Sequence, residues 1–141
     1  MEAKTFLGFD FGMNHIGVAV GQTLTDTATP LEVLPARDGI PDWQHLAQLI
    51  EAWHPDGLVV GLPTHEDGTE YALTDAARRF QQRLRGRFRL PVYAVDERLS
   101  SMEAKRLRPA RDSRQRPPRV DDVAAQLILQ TWLEQHREKA R

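Results

Sequence analysis

Asp10 interrupts an apolar run, Phe6-Leu7-Gly8-Phe9-Asp10-Phe11-Gly12, and a second apolar stretch, Ile16-Gly17-Val18-Ala19-Val20-Gly21, follows shortly after. An unpaired carboxylate in a buried strand carries a large desolvation cost and tends to shed its charge. A divalent cation is the obvious compensating partner. Two further acidic positions could complete such a site. Asp96-Glu97 closes the apolar segment Pro91-Val92-Tyr93-Ala94-Val95, and Asp121-Asp122 opens the last helical pattern. Carboxylates from two strand ends and one helix start can hold one or two Mg²⁺ or Mn²⁺ ions through oxygen. A pair of ions about 4 Å apart activates water and stabilises the leaving oxygen in phosphodiester hydrolysis.

Each acidic pair offers a choice. Period-two alternation sends Asp96 and Glu97 in opposite directions, so one of them can face the site, and the pattern leaves both open. Helical periodicity groups Asp121 with Ala124, Ala125, Ile128 and Trp132, and Asp122 with Gln126, Leu129, Gln130 and Leu133. The alanines let the helix start pack close against a sheet, which makes Asp121 the inward acid. Its competing role is an N-cap. His15, His45, His54, His65 and His136 show no paired ligand spacing. Gly61-Leu62-Pro63 with Asp67-Gly68-Thr69-Glu70 forms a small-residue loop that could turn backbone N–H groups toward a phosphate. Ser100-Ser101 reads as a helix cap rather than as a nucleophile.

The charge is segregated. Residues 1–77 hold two basic against twelve acidic side chains, a balance of −10, whereas residues 78–119 hold fourteen basic against four acidic, a balance of +10. The whole chain nets −1. A block of one sign suggests a surface aimed at a polyanion, and the nucleic-acid reading is favoured over a merely solvated face. Its candidates are Arg78, Arg79, Arg83, Arg98, Lys105, Arg106, Arg108, Arg111, Arg114, Arg116 and Arg119. Few aromatics accompany them, so backbone and shape recognition should outweigh base stacking.

The elements that must position these groups follow from periodicity and breakers. Phe6–Phe11 and Ile16–Gly21 read as strands joined through Gly12-Met13-Asn14-His15. Leu31–Leu34, bounded by Pro30 and Pro35, reads as a short edge strand. Pro41-Asp42 starts a helix with Trp43, Leu46, Ile50 and Trp53 on its apolar side, ended by His54-Pro55. Leu58–Gly61 is a compact strand. A basic helix runs from Ala72 to Arg85 and breaks at Gly86. Val92–Val95 is a strand, 100–107 a helix, 108–119 a mobile basic loop, and Val120–His136 the last helix. The order implies an α/β domain whose first three strands are antiparallel and whose later strands are parallel. Ligands of such sheets gather beyond the carboxyl ends of the strands, where Asp10 and Glu97 fall.

A length of 141 residues suits a single domain over 1–141. The absence of cysteine excludes disulfides and thiolate metal sites. The start lacks a signal-peptide pattern and no apolar run approaches membrane-spanning length, so a cytoplasmic protein without membrane contact is expected.

Four segments in order resemble the YqgF/RuvX family of RNase H-like nucleases. They are Leu7-Gly8-Phe9-Asp10-Phe11-Gly12 with Ile16-Gly17-Val18-Ala19; Val60-Gly61-Leu62-Pro63 with Asp67-Gly68-Thr69-Glu70; Asp96-Glu97-Arg98-Leu99-Ser100-Ser101 with Glu103-Ala104; and Val120-Asp121 with Ala124-Ala125 and Ile128-Leu129-Gln130. The resemblance implies an RNase H-like fold with a five-stranded mixed sheet flanked by helices, and an acidic triad on Asp10, Glu97 and Asp121. It thereby selects Glu97 over Asp96. It also implies processing of the 5′ end of precursor 16S ribosomal RNA, or resolution of Holliday junctions. The substrate is then structured RNA or branched DNA, and the junction role would suit a homodimer with two sites. His15 stands where the family usually has arginine, and Gly21-Gln22 where it has a small residue and an acid.

Two rivals are weaker. An actin-like phosphotransferase also opens on an Asp-x-Gly strand but needs two domains to enclose a nucleotide. A non-catalytic nucleic-acid-binding module would have no use for a buried acid cluster, which is destabilising.

Overall fold

The two apolar runs that flank the first glycine turn become β1 (Thr5–Asp10) and β2 (His15–Gln22), an antiparallel pair that sets Asp10 opposite Gly17. The computed structural model describes residues 3–98 and 120–137, without the side chains of 120–122 and 137. The chain continues through β3 (Thr27–Arg37), β4 (Ile40–Pro41), α1 (Trp43–Trp53), β5 (Gly57–Leu62), α2 (Ala72–Phe88) and β6 (Val92–Asp96) to α3 (Val120–Arg137). Among the described residues the sheet has six strands in the order β4-β3-β2-β1-β5-β6. The first four in sequence pair antiparallel, and β5 and β6 join β1 in parallel. Among the described residues no helix is long and apolar enough to cross a membrane.

The mixed α/β sheet is the expected one, with three differences. The sixth strand is the two-residue β4, too short to leave a sequence pattern. β3 spans Thr27–Arg37 rather than Leu31–Leu34 and runs through both prolines that were expected to bound it. Among the described residues its outer side pairs with β4 only at Ala36 and Arg37, and no other strand lies along that edge. The opposite pairing is irregular between Val18 and Ala19, beside Pro30. A missing N–H is tolerated at an edge or an irregularity. Finally, α2 continues past Gly86 to Phe88 and closes in the left-handed Arg89. Phe80 and Leu84 are fully buried and Phe88 packs on the same core, which outweighs the poor propensity of one glycine. A Cβ at Gly86 would meet nothing within 4 Å. Gly86→Ala is therefore expected to stabilise the protein by about 0.5–1 kcal/mol. The check is a higher urea midpoint with an unchanged slope.

The two sheet faces are covered differently. Leu46 of α1 and Ala76, Ala77, Phe80 and Leu84 of α2 pack with Leu7, Phe9, Ile16, Leu58 and Val60. On the other face α3 packs Ala125, Ile128, Leu129, Trp132 and Leu133 against Phe6, Ala19, Ala28, Val59 and Val95. Helix α3 sits close against the sheet glycines there. A Cβ at Gly8 would lie 2.7 Å from Leu129 Cβ, and one at Gly61 would lie 2.4 Å from Ile128 Cδ1. The helix is also tied to β3. The Ala28 N–H donates to Gln130 Oε1 (2.9 Å), and Gln126 Nε2 donates to the Ala28 carbonyl (3.0 Å).

Candidate active site

Asp10 ends β1, where its neighbour across the parallel pairing is Gly61 of β5, and Gly61 is in turn paired with Val95 of β6. Gly61 thus lies between the two strand ends that carry acids. Glu97 follows Val95 by two residues and folds back over the glycine, so that its Cγ lies 3.0 Å from the place a Gly61 Cβ would take. There its carboxyl shares a hydrogen bond with Asp10. Burial pushes the Glu97 pKa above the usual carboxylate range. The bond to Asp10 pulls against that rise, and the nearby charge of Asp96 adds to it.

Asp96 takes the opposite direction. Its Oδ1 accepts the Arg98 backbone N–H (2.9 Å) and the Thr64 hydroxyl (3.4 Å). Its Oδ2 accepts Arg98 Nε (2.9 Å) and Nη2 (2.6 Å). The Arg98 guanidinium, ahead of the other hydrogen bonds, holds the Asp96 carboxyl below its ordinary range. The geometry separates two adjacent acids that alternation could not rank: Glu97 belongs with Asp10, and Asp96 with Arg98.

Helix α3 runs antiparallel to β1. Leu129 meets Gly8 and Ile128 meets Gly61, while the Trp132 ring lies 4.5 Å from that of Phe6 near the start of β1. The first turn of α3 is therefore carried toward the rim that holds Asp10 and Glu97. The backbone of Asp121 belongs to this turn, one turn before Ala125, and its side chain lies outside the described residues. Both helical stripes weighed in the sequence prove to be inward. Ala125, Ile128 and Trp132 lie over β1, β5 and β6, near Gly8, Gly61 and Tyr93. Gln126, Gln130 and Leu133 lie over β2 and β3, near Gly21 and Ala28. Leu129, of the Asp122 stripe, sits between Gly8 of β1 and Gly21 of β2, so the two stripes share β1 and diverge to either side of it.

Among the described residues no group of three or more His, Cys, Asp or Glu side chains forms a metal centre. The Asp10–Glu97 pair nevertheless suits one. It offers oxygen donors only, and burial penalises the charge on Glu97, a cost that a hard divalent cation would offset. Three of the five histidines are engaged elsewhere. His45 contacts Glu32 (2.6 Å), His65 stacks on Tyr71 (4.4 Å between rings) and His136 Nδ1 bonds the Trp132 carbonyl oxygen (2.9 Å).

The basic block divides into several kinds. Arg79 and Arg83 lie exposed on α2. Arg78 is paired with Glu70 through Nη2 (2.7 Å) and Nε (3.1 Å), and Arg98 with Asp96 as above. Two arginines outside the candidate set serve the fold: Arg85 Nη2 donates to the Val92 carbonyl (2.9 Å), and the Arg87 guanidinium lies 4.3 Å from the Trp43 ring centroid. Part of the positive excess therefore supports packing rather than ligand binding. Lys105, Arg106, Arg108, Arg111, Arg114, Arg116 and Arg119 lie outside the described residues, as do the expected helix 100–107, the caps Ser100 and Ser101, and the basic segment 108–119. The Asp96–Arg98 linkage was missed in the sequence. Its signal was an aspartate two residues before an arginine at a strand end, the spacing at which a carboxylate accepts a backbone N–H.

The family model described as "RuvX: Holliday junction resolvase" matches residues 4–135. A protein of Coxiella burnetii, named as a candidate pre-16S rRNA nuclease, is 51% identical over 133 residues, covering 94% of each chain. One of Nitrosococcus oceani with the same name is 53% identical over 133 residues, covering 94% of this chain and 88% of its own. Among solved structures, the T. thermophilus RuvC in complex with a Holliday junction superposes with a TM-score of 0.62 at 16% identity, covering 96% of both chains.

Proposed function

The chain belongs to the RuvX family, and we propose that it is a divalent-metal-dependent endonuclease that processes the 5′ end of precursor 16S rRNA in the cytoplasm. The observation that carries this reading is the Asp10–Glu97 pair flanking Gly61 at the carboxyl rim of the parallel strands. The names of the relatives that are half identical over nearly the whole chain point to the RNA substrate.

Asp10 and Glu97, with Asp121 from the first turn of α3, would hold one or two Mg²⁺ or Mn²⁺ ions. When bound, such ions lower the pKa of water and offset the charge that develops on the scissile phosphate. Exposed Arg79 and Arg83 on α2, Arg78 once released from Glu70, and the basic positions from Lys105 to Arg119 would neutralise substrate phosphates.

A second reading, resolution of branched DNA by a homodimer with two sites, is favoured by the description of the family model. One comparison decides between them: cleavage of a precursor-rRNA fragment and of a four-way DNA junction, each with Mn²⁺ and with EDTA. The RNA is expected to be cut in Mn²⁺, the junction to be cut slowly or not at all, and EDTA to stop both. Faster cutting of the junction would replace the first reading with the second. Cleavage in EDTA would remove the metal from either.

A further inference from the structure

The Asp96–Arg98 linkage lies beside the acid pair and occupies an arginine that the sequence offers as a nucleic-acid contact. The Asp96 carboxylate accepts the Arg98 backbone N–H at 2.9 Å, a bond that spans the backbone of Glu97 from one side to the other. A ring closed in this way fixes φ and ψ at the residue it encloses, and with them the direction in which the Glu97 side chain leaves. The Arg98 side chain then does a second job. Nε and Nη2 grip Asp96 Oδ2 at 2.9 and 2.6 Å, and Nη1 reaches across to the Glu66 carbonyl at 3.3 Å.

The loop that receives it is shaped for that contact. Gly68 has φ +91°, and a Cβ there would lie 3.0 Å from Arg98 Nη1, so the guanidinium rests against a residue without a side chain. The loop is braced internally by His65 N–H to the Thr69 carbonyl (2.9 Å), Gly68 N–H to the His65 carbonyl (2.8 Å) and Thr69 to Asp67 (2.9 and 2.7 Å). A surface ion pair alone would contribute little, and Arg98 and Asp96 are 44% and 31% exposed. What distinguishes this one is its connectivity: one carboxylate and one guanidinium join the backbone of Glu97 to the loop that leaves β5.

We propose that Asp96 and Arg98 are positioning residues, which aim the Glu97 carboxylate at Asp10 and fasten the 64–69 loop to the rim of the site, and that Arg98 is not itself a phosphate contact. The proposal rests on the nuclease reading of the Asp10–Glu97 pair. Groups that orient metal-ligating carboxylates typically change metal affinity or activity 10- to 100-fold when lost.

The test uses the full-length protein with Arg98→Ala, Asp96→Ala, the double variant and Gly68→Ala. Three quantities are read: kcat and KM for cleavage in saturating Mn²⁺, the Kd for Mn²⁺ alone, and the Kd and salt slope for nucleic acid in EDTA. Each single variant is expected to lower kcat, or weaken Mn²⁺ binding, by about 10- to 100-fold. The double variant should lose less than the two single losses combined, because the grip of the guanidinium on the Asp96 carboxylate is counted in both. Nucleic-acid affinity and its salt slope in EDTA should stay at the wild-type values. The proposal is overturned if Arg98→Ala weakens nucleic-acid binding and lowers the salt slope by about one while Asp96→Ala leaves kcat intact, the signature of a phosphate contact. Unchanged kcat and Mn²⁺ affinity in all four variants would overturn it too. A wild type that cuts no substrate would defeat the nuclease reading instead, and the Mn²⁺ affinities would still decide the positioning role.

Discussion

Asp10→Asn is expected to reduce Mn²⁺-dependent cleavage about 10³-fold or more while leaving nucleic-acid affinity in EDTA unchanged. The substitution keeps the volume of the side chain and a hydrogen-bonding carbonyl, so the β1 end and its contact to Glu97 can persist. It removes the charge that would hold the cation, and metal charge stabilisation in a transition state amounts to several kcal/mol. At a factor of ten for about every 1.4 kcal/mol, that is a loss of several orders of magnitude. On the proposed reading, binding would rest on arginines that this change does not touch. Equal cleavage by variant and wild type would remove Asp10 from the site.

Glu97→Gln is the companion that tells a functional acid from a structural one. Burial raises the folded-state pKa of Glu97 above its unfolded value, so the folded protein binds this proton more tightly than the unfolded chain does. That contribution to stability is fully present below the unfolded pKa and is lost as pH rises through the folded value. Glutamine does not ionise. The metal-free variant should therefore be more stable than the wild type at neutral pH and keep that advantage until pH falls into the carboxylate range. The same variant should lose cleavage. A side chain that costs stability where it ionises, yet cannot be replaced without loss of activity, is there for the reaction. The measurement is denaturant unfolding in EDTA across pH, beside a cleavage assay.

Local pattern exposed some of this site and concealed the rest. Asp10 was visible because a carboxylate in a Phe/Leu/Gly strand violates the burial rule without help from any distant residue. The helix Trp43–Trp53 was visible because Asp42 caps it through Gln44 and His45 N–H groups, and His54 ends it. Glu97 could not be separated from Asp96, because alternation ends where the strand ends. The separation comes from an arginine two residues on and a loop more than thirty residues back. The prolines of β3 misled because tolerance of a missing N–H depends on which edge is free, a property of the assembled sheet. Gly86 misled because propensity was weighed without Phe80, Leu84 and Phe88 on the core side of α2. The last helix showed two stripes, and only the docked structure reveals that both face the sheet, sharing β1 and diverging to either side of it. What the sequence withheld was in each case the identity of a distant partner.

Gly61 shows how such a partner sets the chemistry, and Gly61→Ala should destabilise the fold by about 1–3 kcal/mol and lower cleavage about 100-fold. Alanine is a good residue almost anywhere, and nothing local in Leu58-Val59-Val60-Gly61-Leu62 forbids it. The added methyl would nevertheless stand 2.4 Å from Ile128 Cδ1, 2.9 Å from Ile128 Cγ1 and 3.0 Å from Glu97 Cγ. Ile128 is 1% exposed, so its side chain has little room to rotate away, and the overlap passes to α3 or to Glu97. Either response damages the site, since α3 carries Asp121 and Glu97 is the partner of Asp10. A displacement of about 1 Å at a reacting centre is enough for a loss of that order. Gly8→Ala separates the two responses. Its methyl meets Leu129 Cβ at 2.7 Å and is not near Glu97, so it acts on α3 alone. If Gly61→Ala reduces cleavage well beyond Gly8→Ala at matched loss of stability, the extra effect is the movement of Glu97. Equal losses would place the whole effect in the helix, and a Gly61→Ala variant of normal activity would mean that Glu97 does not work from the position it holds over this glycine.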